Sequence, residues 1–189
     1  QAGAGPLAED PSWTGMFDYL AGVYAGDPDD NEPIRWIDDV GEACESTRFA
    51  QRSAAPIVLR RFLEPSDSRL WRLLGLLRRG VPEAVVGEAT GISAWFLAEM
   101  GRNVALEREV TSIGPRLADP ADAEATELLA TAKRAGFGDR ELAERAGTTA
   151  EALRTARLAR GIVPGYAMVD TCAAEFAAET PYFYSTYAA

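Results

Sequence analysis

Apolar residues recur at helical spacing through most of the chain. In SRLWRLLGLLRRG, residues 68–80, leucines fall three or four positions apart and the pattern ends at Gly80. PEAVVGEATG then predicts a short helix, and AWFLAEMGRNVALEREV predicts a longer one whose apolar stripe comprises Phe96, Leu97, Met100, Val104 and Val110. The pattern predicts three helices separated by glycine turns.

The same order returns further along the chain, in ADAEATELLATAKRAG, DRELAERAG and TAEALRTARLARG, with Thr148 and Glu151 as a capping box for the last helix. At an offset of 56 residues, identical positions include Leu73 with Leu129, Gly80 with Gly136, Gly91 with Gly147 and Leu97 with Leu153. A unit of this size leaves an apolar face uncovered when alone. We therefore predict two similar three-helix units packed against each other.

The predicted fold is all-α: two pseudo-repeated three-helix units sharing a core, followed by an irregular C-terminal strap. Residues 1–32 are assigned to an N-terminal extension and acidic loop, and residues 33–189 to the helical domain. Within that domain the repeat units span about 68–113 and 119–161, and the strap spans 162–187. The strap runs through VDTCAAEFAAETPYFYSTY, which follows no simple period.

Three smaller expectations complete the predicted fold. WTGMFDYLAGVYA, after Ser12, predicts a helix near the start of the chain. The sequence allows short strands near Val40 and at YAMVD. Pro56 is compatible with a helix only near its start, because proline lacks the N–H that an interior position donates.

Composition limits the class of protein. The chain has 189 residues, of which 47% are hydrophobic and 25% charged, and its apolar runs are too short to span a bilayer. The start, QAGAGPLAEDPSW, lacks the basic and apolar segments of a secretory signal, so we expect a cytoplasmic protein. The net charge of −10 argues against broad contact with nucleic acid or an anionic membrane.

The chain contains no histidine, which excludes Ser-His-Asp and Cys-His nucleophile pairs and His-ligated zinc. Its two cysteines, Cys44 and Cys172, are too far apart for a paired zinc motif and too few for a disulfide framework. Any catalysis would rest on carboxylates, Tyr, Lys or Arg. No phosphate-binding loop is present in the sequence, and we expect no cofactor.

Two acidic segments resemble metal sites. Asp38, Asp39 and Glu42 follow the DDxxE arrangement in which carboxylates on one helical face chelate magnesium, but no second metal motif accompanies them. DPDDNEPIRWID resembles the start of a calcium loop, yet Glu32 and Pro33 stand where the loop needs a glycine. A solvated acidic loop is the favoured interpretation.

DRELAERAGTTAEALRTARLARG has the pattern of a helix-turn-helix. In that arrangement Arg154, Arg157 and Arg160 lie along one side of the second helix, where they could meet phosphates. The corresponding helix of the first repeat unit lacks basic residues at these places, and the whole chain is acidic. A packed helical pair is therefore favoured over a DNA-binding module.

The strap carries a resemblance to a known family. VDTCAAEFAAETPYFYSTY closely resembles the segment that ends the central helical domain of the carbamoyl phosphate synthetase large subunit. WFLAEM, LEREV, KRAGFGDRELAERAG and LRTARLARGIVPGY precede it in the family's order. The resemblance is strong from about Leu70 to Tyr187 and weaker between Gly26 and Leu63. In that family the region is the oligomerisation, or connection, domain.

The resemblance implies an all-helical scaffold without catalytic residues. It lies between two ATP-grasp halves, and it helps large subunits associate. We therefore expect self-association, with flanking ATP-grasp domains or a ligase partner, and no contact with nucleic acid or membrane. Ala167 and Met168 depart from the family, which usually has basic residues there, and the sequence stops where the family continues. This leaves open whether the chain is an excised fragment or a free-standing descendant.

The alternative hypothesis is a stand-alone enzyme or ligand-binding protein built on the same scaffold. Its apolar pocket would be lined by Trp95, Met168, Phe176 and Phe183, and its acid-base groups would be Asp170, Glu175, Tyr182 and Tyr184. The competing interpretation, which we favour within the strap, is that the rings belong to the core and the acids accept backbone hydrogen bonds.

Overall fold

A computed structural model of the chain describes residues 13–25, 34–37, 43–46, 48–169 and 182–188. Helices account for most of these residues, so the predicted all-α class is confirmed. The helices are α1 (Thr14–Tyr24), α2 (Arg48–Phe62), α3 (Arg69–Arg78), α4 (Glu83–Thr90), α5 (Ala94–Ile113), α6 (Ala123–Arg134), α7 (Asp139–Ala146) and α8 (Ala150–Ala159), with a 3₁₀ helix at Gly114–Ala118. No helix in these ranges is both long enough and apolar enough to cross a membrane.

In the described part of the chain, four short strands form two antiparallel pairs. The strand β1 (Ile34–Ile37) pairs with β2 (Ala43–Ser46), and Ile34 lies opposite Ser46. The strand β3 (Gly165–Val169) pairs with β4 (Tyr182–Thr186), and Gly165 lies opposite Thr186. The strand expected at YAMVD is therefore present, and the first pair flanks Val40, which lies outside the described residues. The strap is not irregular throughout, since its described ends pair with each other.

The glycine turns repeat in detail at the predicted offset. Gly80 has φ +85° after α3, where the Val81 amide donates to the Leu76 carbonyl at 3.1 Å. Gly136 has φ +94° after α6, where the Phe137 amide donates to the Ala132 carbonyl at the same 3.1 Å. Both helices end in the left-handed glycine motif that satisfies the last carbonyls. The pseudo-repeat therefore extends to matched backbone hydrogen bonds 56 residues apart.

The starts of α6 and α8 are capped by side chains. The Asp122 carboxylate accepts from the Ala125 amide at 3.1 Å, and the Thr149 hydroxyl oxygen accepts from the Ala152 amide at 3.1 Å. Each contact satisfies one of the N–H groups that a helix N-terminus leaves unpaired. The capping residue of α8 is Thr149, one position after the Thr148 that the sequence pattern indicated.

The chain divides into two compact units, residues 1–104 and 105–189, and the boundary falls within α5. Each unit has its own buried apolar cluster, where the sequence predicted a core shared by both repeats. In the first unit the fully buried side chains include Phe17 and Leu20 of α1, Leu59 of α2, Leu76 of α3 and Leu97 of α5. The segment assigned to an N-terminal extension thus supplies part of this core.

The first unit also departs from the predicted role of Pro56. This proline is the ninth residue of α2, well inside the helix. Ala55 and Leu59, on either side of it, are buried in the first unit. Burial of an apolar helix face stabilises the helix and offsets the roughly 3 kcal/mol that an interior proline costs. Tertiary packing therefore overrides the local preference at this position.

In the second unit the cluster comprises Val110 of α5, Leu117 of the 3₁₀ helix, Leu129 of α6, Leu142 of α7 and Leu153 of α8, all fully buried. These leucines occupy the apolar positions that the helical spacing predicted. The helices α7 and α8 pack beside the 3₁₀ helix and so bring the ends of α6, α7 and α8 close together. The site described next lies there.

Candidate interaction site

The paired strands β3 and β4, which we call the aromatic ribbon, place predicted site residues side by side. Met168 lies directly opposite Phe183, Ala167 opposite Tyr184, and Val169 opposite Tyr182. Because side chains alternate along a strand and cross-strand partners share a face, one face carries Tyr166, Met168 and Phe183. The opposite face carries Val169, Tyr182 and Tyr184.

Both faces of the ribbon are exposed. The exposed fractions are 76% for Tyr166, 59% for Met168 and 67% for Phe183 on one face. They are 42% for Val169, 60% for Tyr182 and 51% for Tyr184 on the other. The favoured interpretation of these rings as core residues is therefore wrong for Tyr182, Phe183 and Tyr184. Among the described strands, β3 and β4 pair only with each other, and their side chains remain exposed.

An ion cluster of three residues lies beneath the end of the ribbon. Lys133, the penultimate residue of α6, is 7% exposed, and its ammonium contacts an Asp139 carboxylate oxygen at 2.9 Å. Arg157 of α8 is 5% exposed, and its guanidinium donates to both Asp139 oxygens at 3.1–3.2 Å. Asp139 opens α7, so one carboxylate joins three helices. We call these residues the cation cluster.

Backbone carbonyls complete the hydrogen bonding of the cation cluster. Lys133 donates to the Phe137 carbonyl at 2.7 Å, and Arg157 donates to the Ile162 carbonyl at 2.6 Å. These acceptors lie in the turns that follow α6 and α8. Buried charges are tolerated when they are paired and hydrogen-bonded in this way. The cluster therefore fixes the ends of three helices and the start of the segment that leads into β3.

The electrostatics of Asp139 follow from its neighbours. Burial alone would raise the pKa of the Asp139 carboxyl. Hydrogen bonds from Lys133 and Arg157, together with their positive charges, outweigh that effect and hold its pKa below the ordinary value. Asp139 is thus ionised near neutral pH and acts as a fixed counterion. A general acid or base would need a pKa nearer the working pH.

The ribbon is tied to this cluster by Tyr187, one residue after β4. Its ring centroid lies 4.9 Å from the Lys133 ammonium and 5.5 Å from the Arg157 guanidinium carbon. A cation within about 6 Å of an aromatic centroid is attracted by the ring, by roughly 0.5–2 kcal/mol. The cluster has two cations and one carboxylate, and the surplus positive charge faces this ring. Tyr187 therefore anchors the end of β4 to α6 and α8.

The arginines of the helix-turn-helix pattern mostly support the fold. Arg157 belongs to the cation cluster, and Arg160 donates to the backbone carbonyls of Leu117 and Asp119. Of the three, Arg154 is exposed. The row of cations that the pattern suggested is therefore not presented to an outside phosphate. The spacing arises instead from contacts between α8, the 3₁₀ helix and α7.

Several predicted residues fall elsewhere. Trp95, a pocket candidate, begins α5 in the first unit, is 63% exposed, and packs edge-on against Phe96 at a centroid distance of 4.8 Å. Phe96, expected in the apolar stripe, is itself 56% exposed. Asp170, Glu175 and Phe176 lie outside the described residues, as do the metal candidates Asp38, Asp39 and Glu42. The chemistry assigned to them stays a prediction.

A groove in the second unit is the larger of two described cavities, at about 440 Å³. It is open to solvent and lies between the 3₁₀ helix and α8, where Ala118, Ala152, Ala156 and Ala159 line it. Glu151 is the one charged residue of its lining. Small-molecule sites usually combine an enclosed apolar wall with several converging polar groups. The groove does not have that form.

Sequence reasoning missed the partnership of Lys133, Asp139 and Tyr187. The signal lay in KRAGFGD, where a lysine before a glycine turn is followed six residues later by the acidic first residue of the next helix. The helix dipole favours a carboxylate at the start of a helix. A carboxylate in this position can also pair with a lysine at the end of the preceding helix. The contribution of Tyr187 depends on the tertiary fold and has no local signal.

The fold and this site define a helical interaction domain, because its buried charges hold helices together while its apolar rings face outward. Comparison with known proteins agrees. Residues 34–161 match the family described as carbamoyl-phosphate synthetase large chain, oligomerisation domain. The chain belongs to that family, which confirms the resemblance seen in the sequence.

Two curated relatives illustrate the match. The carbamoyl phosphate synthase large chain of Thermomicrobium roseum is 45% identical over 143 residues, which cover 76% of this chain and 12% of the relative. The carbamoyl phosphate synthase large chain, N-terminal section, of Methanopyrus kandleri is 37% identical over 156 residues, which cover 79% of this chain and 28% of the relative. The chain thus spans a small part of the length of these relatives.

Proposed function

We propose that the chain is a scaffold that associates with copies of itself and supports a carbamoyl-phosphate-synthetase-type ligase without supplying catalytic groups. The observation that carries this proposal is the family match over residues 34–161, which identifies an oligomerisation domain. The partners proposed beyond a second copy are ATP-grasp domains of such a ligase, and the proposed location is the cytoplasm.

The pairing of buried carboxylates with cations in the second unit supports the proposal of a scaffold. Asp139 is held by Lys133 and Arg157, and the buried Glu107 accepts from Arg145 at 2.7 Å. An active site keeps some titratable groups free and tunes their pKa values toward the working pH. The buried carboxylates named here instead have cationic partners from other helices. Their arrangement stabilises the helices.

The proposal is tested by sedimentation velocity of the chain between about 1 and 100 μM. We expect the weight-average sedimentation coefficient to rise with concentration, as reversible association requires. A second measurement, isothermal titration with Mg-ATP, is expected to show no binding heat. A chain that stays strictly monomeric over this range contradicts the proposed self-association. Saturable ATP binding would favour the stand-alone enzyme hypothesis instead.

A further inference from the structure

The smaller of the two described cavities lies in the first unit, between α1, α2 and α4, and has a volume of about 120 Å³. It is lined by Tyr24, Pro56, Leu59, Arg60, Val85, Glu88 and Ala89. A space of this size holds about four water molecules, or a ligand of roughly five to six non-hydrogen atoms. The cavity is therefore suited to a small molecule and not to a segment of protein.

Three polar side chains and an apolar wall meet at this cavity. The phenol of Tyr24 comes from the end of α1, the guanidinium of Arg60 from α2, and the carboxylate of Glu88 from α4. Leu59 is buried, whereas Arg60 and Glu88 are exposed, so the two charges lie where the cavity opens to solvent. Sites for small molecules combine an apolar wall with a few converging polar groups in this way.

Both charges act on the Tyr24 phenol. Burial raises the pKa of Tyr24, the neighbouring Tyr19 and Glu88 raise it further, and Arg60 lowers it. Tyr24 is thus neutral near pH 7 and can donate or accept a hydrogen bond. Among the described residues no salt bridge joins Arg60 to Glu88. Two opposite charges therefore face one small space without neutralising each other directly.

The pseudo-repeat shows why this space is open. At the offset of 56 residues, Val85 and Ala89 correspond to Glu141 and Arg145 of α7. In α7 these two positions form an ion pair at 3.3 Å, and Arg145 also donates to the buried Glu107 at 2.7 Å. The first unit has a valine and an alanine in place of that ion pair. Their short apolar side chains leave room between α4 and its neighbours.

The surroundings of Glu88 differ from those of its counterpart in the same way. That counterpart is Glu144, which pairs with Arg140 of the same helix at 2.9 Å. The residue corresponding to Arg140 is Ala84, so α4 does not supply this cation to Glu88. The first unit thus keeps the carboxylate but lacks both arginines of α7. A carboxylate beside an open cavity can accept charge-assisted hydrogen bonds from a cationic ligand group.

We propose that this cavity binds a small zwitterion of the amino-acid class. The ligand carboxylate accepts from Arg60 and from the Tyr24 hydroxyl, and the ligand ammonium donates to Glu88. Each charged end of such a ligand meets an opposite charge, whereas a simple anion or cation also meets a like charge. Glycine and alanine are of the size that the cavity holds. The proposal concerns the first unit alone and does not depend on self-association.

The test is an NMR titration of the full isotope-labelled chain with L-alanine, up to a concentration of about 50 mM. We expect saturable shifts of backbone amides in α2 and α4 beside the cavity, with a dissociation constant on the order of 1 mM for so small a ligand. Acetate and methylammonium each carry one of the two charges. Each should bind at least about tenfold more weakly than L-alanine, because one charge-assisted contact is lost.

Two variants test the space and the charge separately. Ala89→Leu fills the cavity without changing a charge, and Glu88→Gln removes the acceptor of the ligand ammonium. Each should weaken L-alanine binding at least about tenfold. Glu144→Gln, the corresponding change in α7, is the control and should alter binding by less than about twofold. Far-UV circular dichroism checks that each variant keeps its helices, and if Ala89→Leu unfolds, the exposed Glu88→Gln decides.

Three results would overturn the proposal. The first is the absence of saturable shifts with L-alanine over the whole titration. The second is equal binding of acetate and L-alanine, which would indicate an anion held by Arg60 alone. The third is L-alanine binding that folded Glu88→Gln leaves unchanged.

Discussion

Asp139 provides the sharpest test of the structural reasoning. Among the described residues it is the one carboxylate paired with both Lys133, which is 7% exposed, and Arg157, which is 5% exposed. Replacing it with Asn keeps the size and one acceptor oxygen but leaves two buried cations without a counterion. Removing one partner of a buried ion pair costs about 3–5 kcal/mol, most of it from the charge left behind. We expect about 3 kcal/mol for Asp139→Asn, because the amide still accepts a hydrogen bond.

The assay is urea unfolding followed by far-UV circular dichroism, combined with amide hydrogen exchange of α6, α7 and α8. With a slope of about 2–3 kcal/mol per molar urea, a loss of about 3 kcal/mol lowers the midpoint by about 1 M. The matched control is Glu144→Gln, which breaks the exposed Arg140–Glu144 pair of the same helix and should cost under about 0.5 kcal/mol. Equal effects of the two substitutions would refute the reasoning.

The same carboxylate predicts a pH dependence. The folded-state pKa of Asp139 is depressed, so the folded state holds fewer protons than the unfolded state as the pH falls through the unfolded value of about 3.9. Its stabilisation is present above that pH and is lost as the pH falls through the depressed folded value. The stability of the native chain should therefore decline more steeply below about pH 4 than that of Asp139→Asn. Parallel declines would show that Asp139 does not carry this dependence.

Two further pairs of substitutions test neighbouring features. Tyr187→Leu should remove the contact with the two buried cations and increase the rate at which a protease cleaves the ribbon. Tyr187→Phe keeps the aromatic ring and should retain the contact. Equal cleavage rates of the two variants in limited proteolysis would contradict the proposed anchor. Gly80→Ala and Gly136→Ala should each cost about 1–2 kcal/mol in urea unfolding, because the positive φ alone is penalised. The added methyl group makes an ordinary contact with the Ala25 Cβ at 3.5 Å in the first case and meets nothing within 4 Å in the second. Markedly different costs would show that the two turns are not equivalent.

Local signals explain which parts of this fold were predictable. The helical spacing and the glycine stops at Gly80 and Gly136 depend on neighbouring residues, so the sequence predicted both and their repeat. Pro56 shows the limit, because burial of Ala55 and Leu59 outweighs its local preference. Neither the helical spacing nor the repeat indicates that these residues of α2 are buried.

The candidate site was less predictable because its contacts are distant in sequence. The favoured interpretation placed the rings of the strap in the core, yet β4 pairs with β3 and exposes Phe183 and Tyr184. A segment rich in aromatic residues usually indicates burial, but its composition does not show which surface would bury the rings. The arginines of α8 looked like a phosphate-binding row, and only the fold shows Arg157 turned toward Asp139.

The central claim is that this member of the carbamoyl-phosphate synthetase oligomerisation family is a scaffold that associates with copies of itself. Sedimentation velocity of the native chain from about 1 to 100 μM tests it most directly. The account predicts a weight-average sedimentation coefficient that rises with concentration. A chain that sediments as a monomer at every concentration would contradict it.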